Sequence, residues 1–113
     1  MNIIPANEKA VVVHDASFGL DASIHFHTVF QLLKTVSVGG EILKFTVPTN
    51  KYTPHGAIMC WYAEGTTSNF KPLGISSKTL GDGTTECTIY NSGTYQLNVL
   101  NVDHVIEGFM TLL

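Results

Sequence analysis

Gly, Pro, Asn and Asp interrupt this chain about every 8–15 residues, and the short runs between them are rich in Val, Ile, Thr, Tyr and Phe. Spacing that tight is the rhythm of an all-β domain. Strands are predicted over 10–13, 41–47, 57–63, 86–90, 94–100 and 105–112. Within 41–47, Leu43, Phe45 and Val47 alternate with Ile42, Lys44 and Thr46, so one face can be buried while the other stays partly wet. Tyr95, Leu97 and Val99 alternate with Gln96 and Asn98 in the same way. Asn91-Ser92-Gly93 reads as a tight hairpin turn between 89–90 and 94–95, because Asn and Gly accept positive φ at little cost. Gly81-Asp82-Gly83 reads as a second turn and Gly39-Gly40 as a third.

Residues 24–33 carry two periods at once. Ile24, Phe26, Thr28, Phe30 and Leu32 alternate as on a strand, while Phe26, Val29, Phe30 and Leu33 sit at helical spacing. Strand is favoured, because Thr28, Val29, Thr35 and Val36 are β-branched and Gly39-Gly40 can fold the run back onto 41–47. Residues 1–9 contain Pro5 and Asn7 and show no periodic apolar face, so they read as an extended arm before a single domain over 10–113. Such an arm orders against something else, a neighbouring chain or a larger assembly. With 113 residues, 44% of them hydrophobic, the chain suits one domain that buries roughly 60–70% of its surface without needing staples.

The charges exclude one large class of partner. All six basic residues are lysines, scattered singly among nine acids, and the net charge is −3 with a pI near 5.9. Without arginine forks or a clustered basic face, nucleic acid is not an expected partner. No apolar run reaches the ~20 residues of a membrane span, and the N-terminus lacks the basic flank and apolar stretch of a secretory signal. The chain is expected to be made and used in soluble form, with no membrane partner. Cys60 and Cys87 stand far apart without Cys-x-x-Cys spacing and read as small core hydrophobes.

Few constellations could carry chemistry. Among His14, His25, His27, His55 and His104, only His25 and His27 are close, and on a strand positions i and i+2 share a face and could reach one metal. The plainer alternative is two half-exposed histidines on a wet face, so no metal and no cofactor are expected. Gly19, His25, His27 and Gln31 are similar to the first half of the cupin metal motif, but glutamine stands where cupins usually have glutamate. The second cupin motif is missing, since Pro54-His55-Gly56 has the wrong order. There is no Gly-x-Ser-x-Gly elbow and no phosphate-binding Gly-rich loop, and no catalytic residue is expected. The pairs Glu64/Asp82 and Asp103/Glu107 read as loop and surface solvation. Tyr52, Trp61, Tyr62, Tyr90 and Tyr95 could form a sugar-stacking platform; alternatively Trp61 and Met59 point into the core, with Tyr62, Ile58 and Cys60 opposite.

The second half of the chain is more specific. It carries Cys60-Trp61-Tyr62-Ala63-Glu64-Gly65-Thr66-Thr67, then Pro72-Leu73-Gly74-Ile75, then Thr85, then Thr88-Ile89-Tyr90-Asn91-Ser92-Gly93-Thr94-Tyr95. In that order these segments resemble the head decoration protein family of lambda-like tailed phages, and Glu107-Gly108-Phe109-Met110-Thr111-Leu112-Leu113 is similar to the family's closing strand. The resemblance covers residues 57–113. Its motif positions are Trp61, Gly65, Thr66, Thr67, Gly74, Ile75, Tyr90, Ser92, Gly93 and Tyr95. The loop after Trp61 is slightly longer than the family's, with Tyr62-Ala63-Glu64 ahead of Gly65.

The resemblance implies a small clip-like β-barrel or sandwich that trimerises and clamps the major capsid protein from outside the expanded head. It also implies that the N-terminal arm adds to attachment, which makes Asn2, Ile3, Ile4 and Pro5 the expected capsid contacts. The alternatives of another class are a glycan-binding virion or adhesion module and, third, a cupin-like metalloenzyme at His25 and His27.

Overall fold

The computed structural model describes residues 3–5, 11–18, 23–48, 59–64, 70–99 and 103–111. Among these residues eight strands run in the order β1 (Ile3–Pro5), β2 (Val11–Phe18), β3 (Ser23–Leu32), β4 (Glu41–Pro48), β5 (Met59–Glu64), β6 (Phe70–Thr79), β7 (Thr84–Tyr90) and β8 (His104–Thr111). No helix occurs among the described residues, so none there could cross a membrane. Every strand pairing is antiparallel.

The hydrogen-bonded order is β1-β4-β7-β6-β5-β8-β3-β2. It makes two sheets, because β6 serves both: Gly74 to Thr79 pair with β7, whereas Phe70 to Leu73 pair with β5. A strand that changes sheets makes a corner, and at the far ends β1 comes against β2. The inner faces enclose one core, in which Phe30, Leu32 and Ile106 of one sheet join Leu43, Phe45, Val47, Cys87 and Ile89 of the other. Burying each large apolar side chain there is worth roughly 1.5–3 kcal/mol.

The strand expected over 86–90 is β7, and along it Thr85, Cys87 and Ile89 are buried between half-buried neighbours. In β4 the alternation expected over 41–47 holds from Leu43 onward and breaks once before it. A register shift between Glu41 and Leu43 turns both Ile42 and Leu43 inward, although Ile42 was expected on the wet face with Lys44 and Thr46. The doubly periodic segment is the strand β3, with Thr28, Phe30 and Leu32 buried. Gly39 and Gly83 take φ of 81° and 85°, which supports two of the three expected turns. At the second turn Asp82 Oδ1 accepts from the Thr84 hydroxyl and from its N–H at 3.0 Å, and these bonds, the hydroxyl's first, hold the carboxyl below its usual range.

Two expectations fail. Residues 94–99 are not a strand and do not return along β7; β7 already has β4 on one edge and β6 on the other, so no edge is left for a hairpin. Consequently Asn91-Ser92-Gly93 is not a hairpin turn, and of the alternating apolar residues only Leu97 is buried, while Tyr95 is 82% exposed. Conversely β6 has no sequence forecast, since Pro72, Gly74, Ser76, Ser77 and Lys78 are poor strand formers.

The arm also differs from expectation in its partner. Ile3, Ile4 and Pro5 pair with Phe45, Lys44 and Leu43 of the chain's own β4.

Candidate functional site

Two connections carry the chain from one sheet to the other at the same end of the domain. Residues 33–40 lead from β3 to β4, and 91–103 lead from β7 back to β8. Val36 and Leu97 exchange a pair of backbone hydrogen bonds at 2.9 and 2.8 Å, and both side chains are buried as a plug between the sheets. Gly39 N–H donates to Asn91 O at 2.8 Å and Asn91 N–H donates to Gly40 O at 2.9 Å, which adds a second tie.

Asn91 completes the join with its side chain. The Nδ2 amide donates to Tyr95 O at 3.0 Å, Val36 O at 3.3 Å and Ser37 O at 3.4 Å, while Oδ1 accepts from Gly93 N–H at 3.0 Å. Asparagine supplies both a donor and an acceptor end, and here each is used. The consequence is presentation: Asn91 is buried, while Ser92, Gly93, Thr94, Tyr95 and Gln96 are held outward.

Among the residues whose side-chain exposure is described, the large exposed hydrophobics are Leu33, Val38, Tyr95 and Val99, and they lie on these two connections. The two connections, 33–40 and 91–103, carry two charged residues, Lys34 and Asp103. A surface that carries several apolar side chains and an aromatic but few charges is close in composition to an interface. Beside it a cleft of about 250 Å³ is lined by Leu73, Leu97 and residues 91–95.

Several motif residues converge here. Gly74 pairs with Tyr90 across β6 and β7, and a Cβ at Gly74 would fall inside the Tyr90 ring, so glycine is what lets the ring lie over the strand. Tyr90 leads directly into Asn91, Ser92, Gly93 and Tyr95. Ile75 packs against the core. Gly65, Thr66 and Thr67 lie outside the described residues, as do Asn2 and Gly19.

Trp61 stands elsewhere, on β5 opposite Glu107 of β8 and Pro72 of β6. Glu107 is exposed, whereas Tyr62 stands opposite the buried Ile106. The side chains of Met59, Cys60, Trp61 and Tyr62 are not among those described, so the two alternatives for Trp61 lie outside the described residues.

His25 and His27 both lie on β3, opposite Phe109 and Glu107. His27 Nδ1 is 3.6 Å from Glu107 Oε1, with both side chains partly exposed. Gln31, at the cupin-like ligand position, donates from Nε2 to Asp103 Oδ1 at 3.1 Å. Among the described residues no three His, Cys, Asp or Glu side chains group as a metal site. The expected acid pairs divide the same way: Asp82, Asp103 and Glu107 each serve a separate local contact. Cys87 is a buried free thiol in the core.

Sequence reasoning pointed to Tyr90–Tyr95 but not to Leu33, Val38 or Val99. The signal available was the near absence of charge in 33–40 and 91–99, set against ion pairs such as Lys44 with Glu41 and Glu86 on the strands.

Compared with protein-family models, curated proteins and solved structures, the chain has no significant match. The described residues define a class: a small all-β domain of two antiparallel sheets, with one end tied by hydrogen bonds at Val36, Leu97 and Asn91.

Proposed function

We propose that this chain is a non-enzymatic capsid decoration protein of a tailed phage. It binds as a homotrimer to the outside of the expanded head, at three-fold and quasi-three-fold sites, and stabilises the shell against the pressure of packaged DNA. Its partners are the major capsid protein and its own copies, its place is the virion surface after assembly in the host cytoplasm, and no cofactor enters. The observation that carries this reading is the presentation of the Tyr90–Tyr95 segment. The same residues that resemble the decoration family form a braced, outward-facing loop at one end of the domain. A cement protein needs such surfaces and no catalytic constellation, and many copies on one shell multiply weak single contacts.

The arm fits the same role. β1 is three residues long and ends at Pro5, which has no N–H to donate, so few hydrogen bonds hold it on β4. Ile3, Ile4 and Pro5, with Asn2, can exchange that edge for a capsid strand, where main-chain pairing needs no particular side chains.

The test mixes purified protein with emptied, expanded heads of its own phage that lack it, pellets them, and counts bound copies. Saturation near one copy per capsid subunit, with no binding to unexpanded shells, is the expected result; no binding to expanded heads overturns the proposal. Deleting residues 1–9 should weaken attachment and leave the oligomer intact.

One observation favours a second reading. Tyr95 borders a cleft that also offers Ser92 and Thr94, the aromatic and polar mixture that suits a sugar. Saturable glycan binding by the isolated protein, lost in Tyr95→Ala, would put the glycan module first.

A further inference from the structure

We infer that the outer face of the sheet made by β4, β7 and β6 carries a shallow site for a neutral sugar, a pyranose unit of a glycan, formed by Tyr90, Glu41, Thr88 and Ser76. The site depends on no capsid role, and it shares no lining residue with the cleft beside Tyr95. Burial alternates along β7, so Glu86, Thr88 and Tyr90 point outward while Cys87 and Ile89 fill the core. Register then places Glu41 on one side of Tyr90 and Gly74 on the other, with Lys44, Thr88 and Ser76 in the next row. A Cβ on Gly74 would stand over the Tyr90 Cζ, with Cε1 and the hydroxyl oxygen equally distant at 2.6 Å, so the ring lies flat over Gly74. One ring face rests on β6 and the other looks away from the sheet. The ring borders an open groove of about 310 Å³ that Gly39, Glu41, Ser76 and Thr88 also line.

The surroundings select the ligand. A flat aromatic face attracts the C–H face of a pyranose, and a carboxylate beside it accepts strong hydrogen bonds from the sugar's hydroxyls. Glu41 supplies that carboxylate, half exposed and steadied by Lys44 Nζ at 3.4 Å, and Lys44 also lies 3.8 Å from Glu86. Thr88 and Ser76, opposite each other in the register, add hydroxyls that can donate or accept. Glu41 and Glu86 are balanced on this face by Lys44 and Lys78, which favours a neutral ligand over an anion or a cation. Among the described outward positions of the three strands, Tyr90 is the only aromatic or large aliphatic side chain, so a protein partner would find no apolar centre to bury. The groove is at the small end of the range for ligand pockets, about 300–1,000 Å³, which suits one small polar unit.

The test is an NMR titration of the isotope-labelled full chain with cellotetraose, maltotetraose, mannotetraose and galactotetraose, and with inorganic phosphate as the anionic probe. Each is carried to about 10 mM, well above the dissociation constant of a weak site near about 1 mM. At least one sugar should give saturable shifts at Glu41, Gly74, Ser76, Thr88 and Tyr90. Tyr90→Ser and Glu41→Ala should each weaken that binding about 10-fold, whereas Tyr90→Phe keeps the stacking face and should retain it. Tyr95→Ala, outside the groove, should leave it unchanged. Glu41 is exposed, so Glu41→Ala should melt as a folded protein by circular dichroism and tests the site even where Tyr90→Ser does not fold. No saturable shift with any of these sugars, or shifts that only phosphate produces, overturns the inference. Sugar binding lost in Tyr95→Ala but kept in Glu41→Ala also overturns it and leaves the cleft beside Tyr95 as the sugar site. The capsid reading fails separately, in the pelleting of expanded heads.

Discussion

Replacing Asn91 by alanine removes one side chain that joins two connections between the sheets, and the cost can be worked out bond by bond. The Nδ2 group has two hydrogens for three carbonyls, so it counts as one good bond to Tyr95 O and one shared between Val36 O and Ser37 O. Oδ1 adds the bond from Gly93 N–H. Three interactions at a net 0.5–1.5 kcal/mol each come to about 3 kcal/mol. Tyr95 O lies on an exposed loop and can turn to water, which lowers the figure to about 2–3 kcal/mol. For a domain of this size that is a fall in Tm of roughly 8–15 °C, read by calorimetry or circular dichroism. Asn91→Asp is the sharper variant. It keeps the volume and the acceptor for Gly93, but turns a carboxylate oxygen toward three carbonyl oxygens in a buried site, so at neutral pH it should destabilise more than alanine. Protonation in acid restores one donor, and the gap between the two variants should close as pH falls. A loss below about 0.5 kcal/mol for Asn91→Ala, or an Asn91→Asp protein as stable as wild type at pH 7, would refute the assignment of Asn91 as the brace.

Three further outcomes follow from the packing. Gly74→Ala forces the Tyr90 ring off the strand and should cost about 1–3 kcal/mol by denaturant unfolding; adding Tyr90→Ser should recover part of it, and strictly additive losses would refute the contact. Thr28 is fully buried with no hydrogen-bond partner for its hydroxyl, so Thr28→Val should raise stability by about 1 kcal/mol, and a drop would show that the hydroxyl is satisfied. Burial, with a smaller push from Glu86, raises the Cys87 thiol to about 12. The native protein should therefore leave Cys87 unmodified by maleimide at pH 8, as peptide mass spectrometry would read. Because the folded value lies above the ordinary 9.0, the neutral thiol favours the folded state; its contribution is complete below about pH 9 and is lost as pH rises toward 12. The stability difference between wild type and Cys87→Ala should shrink over that interval, and a constant difference would count against the shift.

Strands β3, β4, β5, β7 and β8 were legible because their signals are local. Alternation at Leu43, Phe45 and Val47, β-branching at Thr28 and Val29, and glycines at the positive-φ positions 39 and 83 act within a few residues of themselves. Strand β6 was not legible, because its pairing depends on edges supplied by β5 and β7, and that requirement outweighs the weak propensity of Pro72, Gly74 and the serines. Residues 94–99 failed in the opposite sense: they alternate like a strand, but β4 and β6 already occupy both edges of β7. The same division applies to the candidate site. The sequence by itself determined an all-β chain, short of charge in two segments, with a motif at Tyr90–Tyr95. Only the tertiary structure decided that Leu33 and Val38 share one end of the domain with Tyr95 and Val99, because the Val36–Leu97 pairing that joins them is long-range and leaves no periodic trace in either segment.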